Sequence, residues 1–169
     1  MGTYIKISII RYSMNYNRDK AVSYAEKWAL ARNPKYFDFS LLGGDCTNFC
    51  SQSLYAGAGV MNDNLNIGWF YYSLDNRAPA WTGVEEFYKF ITSNEKKGPY
   101  GEECSFNQIE KGDFISFGNN NGFYHMVIVT NFYNNEPIVC SHSFDRLNAP
   151  LSIYYYEKIR FIKILGVRK

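Results

Sequence analysis

Apolar residues recur at helical spacing in the first half of the chain and at every second position in much of the second half. Asn17 can cap a helix over about 18–32, where Ala21, Val22, Ala25, Trp28 and Ala29 form one stripe. Asn33-Pro34 ends it. Gly43-Gly44 predicts a tight turn. Asp45 can cap a second helix through Phe49, Cys50, Leu54 and Tyr55, which Gly57 and Gly59 stop. A long Asn-rich connection over 61–80 carries Trp69-Phe70-Tyr71-Tyr72. Thr82-x-x-Glu85 reads as the capping box of a third, short helix through Val84, Phe87, Tyr88 and Ile91. Residues 96–104 read as a loop.

The second half changes period. Residues 113–117, 124–132, 136–142, 151–156 and 160–165 read as strands, with Asn134-Asn135 turning a hairpin between the second and third. Helices followed by an antiparallel sheet predict an α+β fold, expected as a single domain over 1–169.

Composition narrows the function classes. A net charge of +2 offers no electrostatic case for nucleic acid. No apolar run approaches the roughly 20 residues of a membrane span, and Ile7–Ile10 is too short for a signal-peptide core. A monomer is expected. With 15 Tyr, 13 Phe and 3 Trp the chain is rich in aromatics, most of them core residues. Trp69, Tyr71, Tyr72 and Trp81, around the long connection, are the candidates for a substrate groove.

Only two histidines and four cysteines are present. Cys46 comes after the Gly-Gly turn and opens a helix, where free N–H groups favour a thiolate and can bind an oxyanion. Cys50, one turn on, reads as buried core. His125 opens the most apolar strand and can reach over the sheet edge toward a helix N-terminus. The hairpin register brings His125 opposite the region of Phe144, so His142 and Asp145 both fall within reach as a third residue that orients the imidazole. Cys46, Cys50, Cys140 and His142 could instead be imagined as a zinc set, but no Cys-x-x-Cys pair exists and the spacing is poor.

The stretch Gly43-Gly44-Asp45-Cys46-Thr47-Asn48-Phe49-Cys50-Ser51-Gln52 resembles the GGDCTNFVSQ signature of the bacterial "putative amidase domain" family. Asn33-Pro34-x-Tyr36, Trp81-Thr82-Gly83-Val84, Lys111-Gly112-Asp113, His125-x-Val127-Ile128-Val129 and His142-Ser143-x-Asp145-Arg146-Leu147-Asn148 match in order along the chain. The family is related to the NlpC-like and CHAP enzymes of the papain-like superfamily. Cys50 stands where the signature favours Val.

The resemblance implies a papain-like fold, Cys46 as nucleophile, His125 as base, and His142 or Asp145 as the third polar residue, with no metal or other cofactor. It further implies a peptidoglycan or peptide substrate, amidase or endopeptidase chemistry, and an extracellular or cell-wall setting. Two other readings share the residues: a transglutaminase-like or protein-deamidating enzyme, and a wall-binding module that has lost catalysis.

Overall fold

The computed structural model describes residues 13–169. The expectation about Ile7–Ile10 lies outside them. Among the described residues, four helices precede most of the sheet: α1 (Arg18–Trp28), α2 (Cys46–Ala58), the single turn α3 (Pro79–Thr82) and α4 (Val84–Ser93). The strands are β1 (Ser13–Met14), β2 (Gly98–Cys104), β3 (Phe114–Asn119), β4 (Gly122–Tyr133), β5 (Glu136–Ser141), β6 (Arg146–Pro150) and β7 (Lys158–Arg168). They form one seven-stranded antiparallel sheet in the order β1-β7-β3-β4-β5-β6, with β2 also paired to β7. The α+β class read from the sequence is the class observed.

Two cores lie on opposite faces of the sheet. One joins Phe49, Cys50 and Leu54 of α2 to Met126, Ile128 and Cys140. The other, smaller, gathers Ile115, Phe117, Val127, Val129 and Leu151. Alternation along β4 assigns even-numbered residues to the helical face and odd-numbered ones to the other. Asn134 (φ 49°) and Asn135 (φ 64°) both take left-handed backbone, as a two-residue turn of the hairpin type requires.

Helix α2 is buried along its whole first half, polar residues included. Its polar side chains are therefore paired. Trp81 Nε1 donates to Asn48 Oδ1 at 2.9 Å, Trp69 Nε1 to Ser51 Oγ at 3.0 Å, and the Tyr24 hydroxyl to Gln52 Oε1 at 2.7 Å. Asn48, Ser51 and Gln52 of the signature stretch thus lock a buried helix to its surroundings. Unpaired in that core, each polar group would cost about 1–3 kcal/mol.

Several boundaries differ from the sequence reading. α1 stops at Trp28, not near 32, and its last turn exposes carbonyls that other groups use. Thr82 closes α3, and Gly83 rather than a capping box starts α4. Residues 98–104 form a strand, not a loop; its Gly, Pro and Glu residues hide it, and pairing with β7 makes it. Residues 151–156 are not a strand. A 3-10 turn occupies Leu151–Ile153, and the strand is Arg146–Pro150, an edge position that tolerates Pro150.

Candidate active site

Gly43 (φ 93°) and Gly44 (φ 109°) turn the chain into α2 through backbone that L side chains rarely adopt. The Asp45 N–H donates to Ser143 Oγ at 2.8 Å, tying this turn to the chain beyond β5. Asp45 stands at the N-cap position, but its carboxylate does not cap the helix. It turns inward and accepts from Phe39 N–H at 2.8 Å, Asn48 Nδ2 at 2.8 Å and His142 Nδ1 at 2.5 Å. For a buried carboxylate, three donors outweigh one capping bond. The first N–H groups of α2 are left without a side-chain cap.

Cys46 is 7% exposed. Its sulfur faces the N–H groups of Met126 and Thr47 and lies 3.8 Å from the Thr47 hydroxyl. The Met126 N–H is available for a topological reason. Val129 exchanges hydrogen bonds with the residues leading into β3, so odd-numbered amides of β4 point to β3 and even-numbered ones to β5. β5 ends at Ser141, one residue short of pairing with Met126. Burial pushes the Cys46 thiol above its ordinary range, and the Asp45 carboxylate acts in the same direction. The donors from Met126 and Thr47 offset only part of this. The depressed thiol expected from a helix N-terminus is therefore not what the site holds at rest.

His142 lies on the helical face, stacked on Phe49 with ring centroids 4.1 Å apart. Besides Asp45, its ring meets the Trp28 carbonyl at 2.9 Å and Arg32 Nη1 at 3.2 Å, both through Nε2. Asp145 receives both Arg32 Nη atoms, at 2.9 and 3.0 Å, and Arg32 reaches on to Ser40. Among the described residues, neither His142 nor Asp145 hydrogen-bonds His125.

The His125 ring lies on the opposite face, stacked on Phe117 (5.9 Å) and Tyr154 (5.8 Å). Burial pushes its pKa down to about 4. Its ring nitrogens have no hydrogen-bond partner among the described residues, Cys46 included, and the ring lines a cleft of about 410 Å³. What links His125 to Cys46 is the chain itself: His125 directly precedes Met126, whose amide faces the sulfur.

The expected aromatic groove is not where the sequence suggested. Trp69 and Trp81 are fully buried, with both indole N–H groups bonded to α2, and the buried Tyr71 hydroxyl accepts from Phe37 N–H at 2.9 Å. Of the four, only Tyr72 is exposed, hydrogen-bonded to Asp63. The aromatic cleft instead lies at His125, with Phe117, Tyr124, Phe144, Tyr154 and Tyr155 around it and Arg146 beside them. The run Tyr154-Tyr155-Tyr156 is the sequence signal for this cleft, and its strand-like aromatic pattern hides that role. No group of three or more His, Cys, Asp or Glu among the described residues is placed to hold a metal ion, so Cys46, Cys50, Cys140 and His142 do not assemble as a zinc set.

Two curated Bacillus subtilis (strain 168) proteins are similar. One, named "Uncharacterized protein YhbB", is 34% identical over 79% of this chain and 43% of its own length. The other, "Uncharacterized protein YjcM", is 29% identical over 80% of this chain and 32% of its own length. The chain thus spans less than half the length of these relatives. No solved structure matches. A family profile described as "Putative amidase domain" matches residues 15–165, which covers the four helices, most of the sheet and every candidate site residue, and the chain belongs to that family.

Proposed function

We propose that this domain is a cysteine-dependent amide hydrolase of the papain-like kind, acting on peptidoglycan or a related peptide in an extracellular or cell-wall setting. One observation carries the reading. Of the two histidines, His142 has both ring nitrogens engaged, whereas His125 has no hydrogen-bond partner among the described residues, lines an open cleft, and sits one residue from the amide that faces the Cys46 sulfur.

The resting pair is a neutral thiol and a neutral imidazole. His125 therefore acts as a general base during attack, not as a standing partner of a preformed thiolate. Rotation of its ring out of the Phe117–Tyr154 stack carries it over the strand edge toward the sulfur. His125 takes the thiol proton while sulfur adds to the amide carbon. The oxyanion meets the uncapped N–H groups of α2 and the Met126 N–H. The proton then passes to the leaving amine, and a thioester on Cys46 remains. Water, deprotonated by His125, adds to the thioester and releases the acid and the thiol. Asp45 and His142 hold the turn that aims Cys46 and take no part in proton transfer.

Liquid chromatography and mass spectrometry of digested muropeptides test this. The wild type should produce new amino termini that His125→Gln does not. An N-terminal alanine freed from muramic acid identifies an amidase, and any other new terminus a peptidase. Intact muropeptides after prolonged digestion with the wild type would sink the proposed substrate.

A further inference from the structure

We infer that the cleft beside His125 binds the part of the substrate flanking the scissile amide, and that it takes an apolar or ring-bearing group that carries a carboxylate. The inference rests on the proposed roles of Cys46 and His125 and adds what the site selects.

The apolar side is unusual for a surface. Tyr124, Phe144, Ile153 and Tyr155 are all large, all at least half exposed, and all gathered around one cleft whose floor is Phe117 and Tyr154. Single exposed apolar residues are ordinary; a cluster around a concavity marks a binding site. Flat rings on both floor and rim suit a planar ring or a sugar face.

The charge is one-sided. No Asp or Glu lines the cleft, and Arg146 does. Arg146 has no ion pair among the described residues; its guanidinium donates to the Asp145 carbonyl, at 3.1 Å. Burial raises the pKa of the Tyr154 hydroxyl, and Arg146 lies close enough to offset part of that rise. An unpaired guanidinium at the mouth of an aromatic cleft is matched by a carboxylate, which it can grip through two parallel bonds.

The backbone gives a third sign. Ser143 (φ 58°) and Phe144 (φ 65°), the central pair of the turn joining β5 to β6, are consecutive non-glycine residues in left-handed conformation, as Asn134 and Asn135 are between β4 and β5. For a bulky side chain this is an outlier, and it holds a phenylalanine 84% exposed over the cleft. Strain of this sort gathers at ligand clamps, where the surrounding bonds over-determine it. Here those bonds are Asp45 N–H to Ser143 Oγ (2.8 Å) and Ser141 Oγ to Phe144 C=O (3.3 Å). Ser143 thus ties the cleft rim to the turn that aims Cys46.

The test uses N-acetylphenylalanine and its neutral amide, N-acetylphenylalaninamide, titrated into the domain while the ring signals of both histidines are followed by NMR. The acid should shift the His125 signals saturably, leave those of His142 in place, and bind about fivefold or more tighter than the amide. Arg146→Gln should make the two probes equal. Equal binding by the wild type, or His125 signals that neither probe moves, would overturn the inference. The readout is independent of turnover. Saturable, charge-selective shifts in a domain that cleaves nothing would leave the cleft standing and remove the catalytic reading; cleavage by a domain whose His125 ignores both probes would do the reverse.

Discussion

Asp45 Oδ2 and His142 Nδ1 lie 2.5 Å apart in the core, joining the residue before the cysteine to one 97 positions later. This pair fixes the entry to α2 from beneath. Both side chains are almost wholly buried, so removing His142 takes from Asp45 Oδ2 its one hydrogen-bond donor among the described residues and also empties the ring's place on Phe49. His142→Ala should therefore cost about 3 kcal/mol or more in urea unfolding. Asp145, a third exposed and paired with Arg32 at the surface, should cost about 1 kcal/mol or less when changed to Ala. If Asp145→Ala proved the more damaging, the pair would not be the anchor described.

The thiol chemistry follows from burial. Iodoacetamide should modify Cys46 slowly at neutral pH, with the rate climbing only above the ordinary thiol range, because burial raises its pKa. Mass mapping of the labelled cysteine across a pH series checks this. Fast labelling at pH 6 would mean that the helix N-terminus and the Met126 amide outweigh desolvation.

His125 imposes a pH dependence on stability. Its pKa falls from 6.5 to about 4 on folding, so between those values the unfolded chain binds the extra proton and the folded one does not. This contribution is intact above pH 6.5 and is lost progressively as pH falls toward 4, by up to about 3 kcal/mol. His125→Phe, which keeps a ring on Phe117 and Tyr154, should flatten this window in denaturant titrations. An unchanged slope would show that the imidazole titrates normally in the fold.

Phe144 separates stability from binding. Phe144→Gly removes the left-handed strain, and Phe144→Ala keeps it. The glycine variant should be about 1 kcal/mol more stable than the alanine variant, while both bind N-acetylphenylalanine less well than the wild type. Thermal melts and the NMR titration together decide. A less stable glycine variant would deny the strain.

The α+β order, the hairpin at Asn134-Asn135 and the second helix after Gly43-Gly44 were legible because each depends on local pattern and turn chemistry. The placing of His125 and His142 was not. Pairing follows one register near the turn, but a bulge at Thr130 shifts it by one before Ile128 meets Cys140. That single residue decides which face each later side chain occupies. It sends His142 toward Phe49 and Asp45, away from His125. The inward turn of Asp45 was equally hidden, since capping is a local preference and its actual partners include Phe39 and His142. Trp69 and Trp81 read as groove residues because no local signal reports that Asn48 and Ser51 wait for their N–H groups.

In the proposed mechanism Cys46 carries an acyl group between the two half-reactions. Acid-quenched wild-type protein, caught while digesting muropeptides, should show by intact mass a covalent adduct equal to the acyl fragment, mapped to Cys46 and released by hydroxylamine. Cys46→Ser should form no such thioester and should leave the muropeptides uncut. Cleavage by Cys46→Ser at the wild-type rate, or an adduct mapped to another residue, would contradict the account.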